Sequence, residues 1–163
     1  MSTLDLQFDI RSQVSSKLEA VRAVLEDVIP GRQDVCLTCS FQAEDVLLAK
    51  LAIGIDPNIP ILFLDTGYHF AETYAYRDRI AAEWGLRLIN LLPEKTVAEQ
   101  ESVRGLLYQS APDQCCQLRK VEPLFKAVAG YGVWLTGLRR EQARSRAALE
   151  ESSLFTLPGG KQV

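Results

Sequence analysis

The 163-residue sequence has no apolar run near the roughly 20 residues that a membrane-spanning helix requires, and no membrane partner is expected. Its first residues, MSTLDLQFDI, lack the basic and apolar regions of a secretory signal, so a cytoplasmic location is expected. Positive charge is not in excess: 18 Lys and Arg stand against 21 Asp and Glu, a formal net charge of −3. That balance argues against a nucleic-acid partner held by bulk electrostatics and leaves any anionic ligand to a local cluster of Arg and Lys. Histidine is nearly absent, and His69 alone cannot make a metal site or a catalytic triad. Cysteine is sparse, and four cysteines in a cytoplasmic chain favour metal binding, redox chemistry or burial over structural disulfides. What is present, 47% hydrophobic and 24% charged residues, fits one soluble domain with a sizeable core.

Periodicity divides the chain. From about Leu4 to Val28, apolar residues including Val14, Leu18, Val21, Val24 and Leu25 recur at spacings of three and four, and Pro30 and Gly31 close the run. This predicts a scaffold helix within residues 1–32. Residues 34–39 are short, apolar and rich in strand formers, and they lead into the loop Ser40 to Asp45 and the apolar-periodic Val46, Leu47, Leu48 and Leu51. The order repeats with a strand from Ile59 to Leu64, a loop from Asp65 to Phe70 and a helix from Ala71 to Trp84 ended by Gly85. A third strand covers Leu86 to Leu92, Pro93 to Ser110 is polar and mildly helical, and a fourth strand covers Val133 to Thr136. Strands alternating with helices imply right-handed crossovers, so the fold class is α/β, a three-layer sandwich on a mostly parallel sheet. Ligands of such sheets bind where strands end and their order reverses, a rim shared by the loops at Ser40, Asp65 and Gly137. Residues 33–150 form the expected core, and 151–163, where Leu154 to Val163 start apolar and then turn, are expected to be the start of a C-terminal part not included in these residues.

Two stretches point to chemistry. Asp113 follows Pro112 as an expected N-cap, which puts Cys115 and Cys116 in a first helical turn where free N–H groups favour thiolate. Arg119 and Lys120 follow the two cysteines by four residues, so each basic group shares a face with one sulfur. Adjacent cysteines suit one tetrahedral zinc poorly but can ligate different irons of one iron–sulfur cluster, with two further ligands required. The alternative is a pair of buried small residues beside a solvated basic face. Pro123 must either kink this helix or begin a second one that runs to about Gly130. The other stretch, Gly137 to Arg146, holds Arg139, Arg140, Arg144 and Arg146, and arginine matches phosphate or sulfate oxygens bidentately. A solvated face paired with Glu141 and Glu150 is the competing explanation, but the position after a strand at the rim favours an anion.

In this order, Ser40 to Asp45, Leu64 to Gly67 with Glu72 to Tyr74, Cys115 and Cys116 with Arg119 to Leu124, and Trp134 to Gln142 resemble the sulfonucleotide reductases. The resemblance is to adenylyl-sulfate reductase of assimilatory sulfate reduction, on the way to cysteine, and it runs from about Val35 to Arg146. It implies one nucleotide-binding domain of adenine-nucleotide hydrolase-like, Rossmann-like fold, an oxidoreductase acting on adenylyl sulfate. It makes Cys115 and Cys116 half the protein ligands of a 4Fe-4S cluster. It makes Ser40, Phe41, Gln42, Ala43, Glu44 and Asp45 the pyrophosphate-type loop, sets Leu64, Asp65, Thr66 and Gly67 against the adenosine, and sets Gly137, Arg139, Arg140, Arg144 and Arg146 over the phosphosulfate. Lys120 becomes the catalytic link between cluster and substrate. In the family a cysteine on a mobile C-terminal tail attacks the sulfur, AMP leaves and thioredoxin releases sulfite, with fixed Arg and Lys donors stabilising the departing phosphate. The family's second cysteine pair and its tail nucleophile are not within these residues, so the chain is expected to be an N-terminal part whose ligand set a further segment or a second copy, as in a homo-oligomer, would complete.

Gln42 stands where the family usually has glycine, Gln117 where a basic residue is common, Ala71 where proline often opens the helix, and Ala143 and Arg144 where the loop usually reads Ser-Pro. An adenylating enzyme of the ATP-pyrophosphatase type would need a Ser-Gly-Gly loop for its amides to wrap pyrophosphate, and Phe41 and Gln42 replace those glycines. A noncatalytic nucleotide-binding or redox-sensing module using Cys115 and Cys116 stays open, as does reduction of the 3′-phosphorylated substrate. Cys36 and Cys39 are three apart in a strand and so face opposite ways, as buried small hydrophobes. His69 fits a stacking or rim role, and Trp84 and Trp134 fit the core.

Overall fold

The structure, a computed structural model, describes residues 3–163, with side chains from 11 onward except at 145. Four short strands alternate with helices: α1 (Thr3–Val28), β1 (Val35–Thr38), α2 (Ala43–Ile55), β2 (Ile61–Leu64), α3 (Ala71–Trp84) and β3 (Leu88–Leu91). Then follow α4 (Val97–Arg104), α5 (Leu107–Ser110), α6 (Pro112–Cys116), a π-helical turn (Gln117–Val121), α7 (Glu122–Val128) and β4 (Val133–Thr136). All three strand pairings are parallel and the sheet order is β3-β2-β1-β4. The chain therefore reverses direction across the sheet between β1 and β4, which sets a crevice beyond their C-terminal ends.

Both faces of the sheet are covered, which is why its strands are nearly continuous apolar runs. Val35, Leu37, Cys39, Ile61 and Phe63 pack with Leu25, Ile29, Ala49, Ala52 and Ile80, the layer of α1, α2 and α3. Cys36, Leu62 and Leu91 pack on the other face with Val128 and Leu157. Cys36 and Cys39 thus sit on opposite faces, 0% and 2% exposed, as their spacing requires.

Element ends follow local chemistry. Gly85 takes the left-handed backbone, φ 63°, that closes α3. Thr96 and Glu99 form a reciprocal capping box at the start of α4. In α1 the expected apolar stripe is only partly used: Leu25 is buried, whereas Val14, Val21 and Val24 are exposed. A 26-residue helix is about 39 Å long, and a sheet of four four-residue strands measures under about 20 Å in either direction, so only one end of α1 can cover it. Residues 151–163 turn back on themselves through a bridge between Thr156 and Gln162 and pack on α7 and β4, with Leu157 buried, Phe155 against Phe125 and Trp134, and Lys161 donating to the Ala129 carbonyl.

The cysteine helix differs from expectation at its start. It begins at Pro112, with Ala111 as N-cap, so Asp113 lies inside the first turn. Proline at N1 sacrifices no hydrogen bond, which favours this start. Cys115 N–H donates to Ala111 O at 3.0 Å and is therefore not a free amide. Pro123 falls in the opening turn of α7, the second of its two expected outcomes, and the π turn Gln117–Val121 joins α6 to α7 through right-handed helical backbone.

Candidate functional site

A cavity of about 500 Å³ opens at the β1 and β4 ends, where the strand order reverses. Thr38, Leu62, Leu64 and Thr136 form its floor, Ser40, Gln42, Glu44 and Asp45 one wall, and Gly137, Gln142 and Arg146 another, with Lys120 and Leu124 from the π turn and α7 closing it.

The loop after β1 is shaped by its own side chains. Ser40 donates to Asp45 Oδ2 from both its backbone N–H, at 2.7 Å, and its hydroxyl, at 2.5 Å. Phe41 adopts φ 61°, the conformation a glycine would supply, and its ring is buried edge-on to Phe63 and Tyr76. Phe41 therefore lies outside the cavity while its neighbours Ser40 and Gln42 line it. Gly137 has a similar packing reason: a Cβ there would come 2.2 Å from Asp45 Oδ1.

Of the four arginines in the loop after β4, only Arg146 is half-buried and lines the cavity. Arg139 pairs with Glu44 at 3.3 Å, Arg140 donates to the Leu149 carbonyl at 2.6 Å, and Arg144 is exposed. Gln142 also donates to Glu44, at 2.6 Å, and accepts from Arg146. The loop's acidic partner is thus Glu44 on α2, and not Glu141 or Glu150. Both carboxylates of the α2 first turn are consequently occupied, Asp45 by Ser40 and Glu44 by the loop, leaving Lys120 and Arg146 as the cations that reach the cavity. Trp134 lines it too, donating to Thr38 Oγ1 at 3.0 Å, and so does more than fill the core.

After β2, Asp65 and Gly67 shape the loop and do not line the cavity. Asp65 Oδ1 accepts from Gly67 N–H at 3.0 Å and from the Tyr74 hydroxyl at 2.5 Å, and Arg77 lies 3.9 Å from Oδ2. Burial, followed by that carboxylate, pushes the Tyr74 hydroxyl up to about 12. Leu64 and Thr66 do reach the cavity, whereas Ala43, the first residue of α2, does not line it. His69 stacks on Phe63 at 5.0 Å, and its Nε2 donates to the Leu64 carbonyl at 2.8 Å, since a carbonyl can only accept.

A second cavity of about 500 Å³ is lined by Cys115, Cys116, Arg119, Lys120, Tyr68 and Tyr108. Each cysteine shares it with the basic residue four positions later, as helical spacing requires. Cys115 is 8% exposed and Cys116 is exposed. Thr66, His69 and Lys120 line both cavities, forming the wall between them. Among the described residues no group of three or more His, Cys, Asp or Glu side chains could hold a metal. The pair Cys115 and Cys116 fits half a cluster's ligand set: two adjacent sulfurs on one cavity wall beside two cations.

A sequence profile of the phosphoadenosine phosphosulfate reductase domain matches residues 34–154. The chain belongs to this family. Family members resembling it include the adenosine 5′-phosphosulfate reductases of Mycobacteroides abscessus, 49% identical over 105 residues, and Mycobacterium tuberculosis strain H37Rv, 46% identical over 115 residues. These matches cover 64% and 68% of the chain but 44% and 45% of the relatives, so the chain spans less than half their length. A phosphoadenylyl-sulfate reductase from Candida auris, solved as a phosphate complex, matches with a TM-score of 0.64 and 27% identity, over 73% of this chain and 61% of that one. Within the family fold, sequence motifs alone did not single out Thr38, Leu124, Trp134 or Gln142 as lining the site. The position of Thr38 at the end of β1 and of Gln142 in the turn after β4 was the available clue, whereas Leu124 on α7 and Trp134 within β4 had no such signal.

Proposed function

We propose that this chain is the nucleotide-binding part of a thioredoxin-dependent adenylyl-sulfate reductase, a cytoplasmic oxidoreductase of sulfate assimilation. The observation that supports it is the cavity at the β1–β4 reversal, lined by both Lys120 and Arg146, while the neighbouring acids are engaged by their own partners, Asp45 by hydrogen bonds from Ser40 and Glu44 by Arg139 and Gln142. In this reading the amides opening α2 meet the phosphate, and Lys120 and Arg146 stabilise the negative charge that grows on it. A cysteine thiolate attacks the sulfur, the sulfur–oxygen bond breaks with its electron pair leaving on AMP, and the S-sulfocysteine is reduced by the thioredoxin dithiol, which becomes a disulfide as sulfite departs. Neither Cys36 nor Cys39 is suited to that attack, because burial pushes both thiols up to about 12. Cys115 and Cys116 would hold one edge of a 4Fe-4S cluster, the other two ligands coming from outside the described residues or from a second copy. When bound, the cluster would supply an anionic group beside Lys120.

Titration calorimetry tests the binding. At about 100 μM protein, adenylyl sulfate or AMP is expected to bind in the micromolar range, and Arg146→Ala or Lys120→Met to weaken binding by about 1.5–3 kcal/mol. Absence of heat with both nucleotides would remove the proposal. The descriptions of the matched domain and of the Candida auris neighbour favour a second reading, a 3′-phosphorylated substrate. Adenosine 3′,5′-bisphosphate binding more than about tenfold tighter than AMP would select it.

A further inference from the structure

We infer that Arg119 is a positioning residue whose buried guanidinium locks the loop after β2 to the cysteine-bearing turn, so that a ligand in the nucleotide cavity is felt at Cys116. The first half stands on geometry alone; the second rests on the proposed nucleotide site.

Arg119 is 3% exposed. Its Nε donates to the Thr66 carbonyl, and one terminal nitrogen donates to the Lys95 carbonyl at 3.2 Å and to Gln100 Oε1 at 3.1 Å. Its carbon lies 5.3 Å from the centre of the Tyr68 ring. The fork thus joins three segments: the loop after β2, the approach to α4, and α4 itself. The site is built around it. Gln100 turns its oxygen to the guanidinium, and its buried Nε2 then has no hydrogen-bond partner among the described residues. A Cβ at Gly67, where φ is +75°, would come 3.0 Å from the other terminal nitrogen and 2.7 Å from Val97 Cγ2. The π turn puts Arg119 inward and leaves its neighbour Lys120 on the wall that both cavities share. Thr66, whose carbonyl Arg119 holds, lines both cavities as well. A shift of that loop by a ligand therefore has a rigid path to the turn, and the coupling is reciprocal.

Hydrogen exchange read by mass spectrometry tests the clamp on the ligand-free protein, using Arg119→Lys and Arg119→Gln. Peptides covering 64–70 and 113–121 are expected to exchange together, about tenfold faster or more, while those of β1 and α2 keep their rates. The clamp is overturned if 64–70 keeps its rate in both variants. If Arg119→Gln unfolds throughout, Arg119→Lys, which keeps the charge but not the fork, decides by the same criterion. Alkylation of Cys116 with and without saturating AMP tests the coupling. AMP is expected to change that rate by about fivefold or more in the unsubstituted protein and to leave it unchanged in Arg119→Lys once AMP saturates that variant too. A retained effect in Arg119→Lys overturns the coupling, since simple occlusion would persist there. If the unsubstituted protein binds no AMP, the nucleotide proposal and the coupling fall, and hydrogen exchange alone judges the clamp.

Discussion

Phe41 shows how packing can hold a side chain in a backbone conformation that favours glycine. It carries the only left-handed backbone of a non-glycine residue among those described, and that conformation costs an L-residue about 1–2 kcal/mol. The cost is offset by a ring that is 7% exposed and packed against Phe63 and Tyr76. Phe41→Ala loses the ring and keeps the backbone strain, an expected loss of about 3–5 kcal/mol. Phe41→Gly loses the same ring and relieves the strain, so it should be more stable than the alanine variant by about 1 kcal/mol, the reverse of the usual order. Urea unfolding of both variants with unchanged slopes measures this, and a glycine variant no more stable than the alanine one would mean the ring does not hold a strained turn. The presence of Phe41 and Gln42 in place of glycines was visible in the sequence. That the backbone keeps a glycine-like turn was not, because only the distant partners Phe63 and Tyr76 make it stable.

At the scale of elements, the four strands were legible because short apolar runs bounded by Gly, Pro and polar loops have few alternatives, and the arginine stretch was legible as a rim segment because it follows a strand. Three features were not. Pro112 and Asp113 are both good helix openers, and only the backbone shows that Pro112 takes N1. The π turn depends on where Arg119 must go, which local propensity does not encode. The pairing of Arg139 and Gln142 with Glu44 spans nearly a hundred positions, beyond any local pattern. Element ends also carry the pH response. The Arg32 side chain, hydrogen-bonded to Asp34 at 3.0 Å, holds that carboxyl below its ordinary 3.8, and the Thr96 N–H and hydroxyl hold Glu99 below 4.5. Carboxyls lowered in the folded state add stability that is whole above their unfolded values and is lost as pH falls through the folded ones. The stability gap between the protein and its Asp34→Asn or Glu99→Ala variants should therefore be present at neutral pH and close below about pH 4. Thermal unfolding across that range checks it, and a gap that stays constant would show that the charge is not what those carboxylates contribute.

For the whole molecule, the arrangement separates two cavities: one gathers cations at the strand ends and is the site proposed for the nucleotide, the other gathers two cysteines, and three shared residues divide them. Binding and bond breaking then need not reside in the same segment. Each of the four cysteines has a reason not to serve as the attacking thiolate. Cys36 lies in the core, and Cys39, although its residue borders the nucleotide cavity, is 2% exposed with a thiol raised to about 12. Cys115 is buried, and Cys116 faces the second cavity across the wall of Thr66, His69 and Lys120. Sulfur transfer requires a thiolate within reach of the substrate sulfur and in line with the departing phosphate oxygen. This 163-residue chain, reconstituted anaerobically with iron and sulfide, is therefore expected to bind adenylyl sulfate and yet release no sulfite when given thioredoxin. Iron held by Cys115 and Cys116 alone should be lost readily to a chelator, because half a ligand set gives up most of the binding free energy. Sulfite formed at about 1 per second or faster, and abolished by Cys116→Ser with nucleotide affinity unchanged, would make Cys116 the nucleophile and would mean that the wall between the cavities opens during turnover.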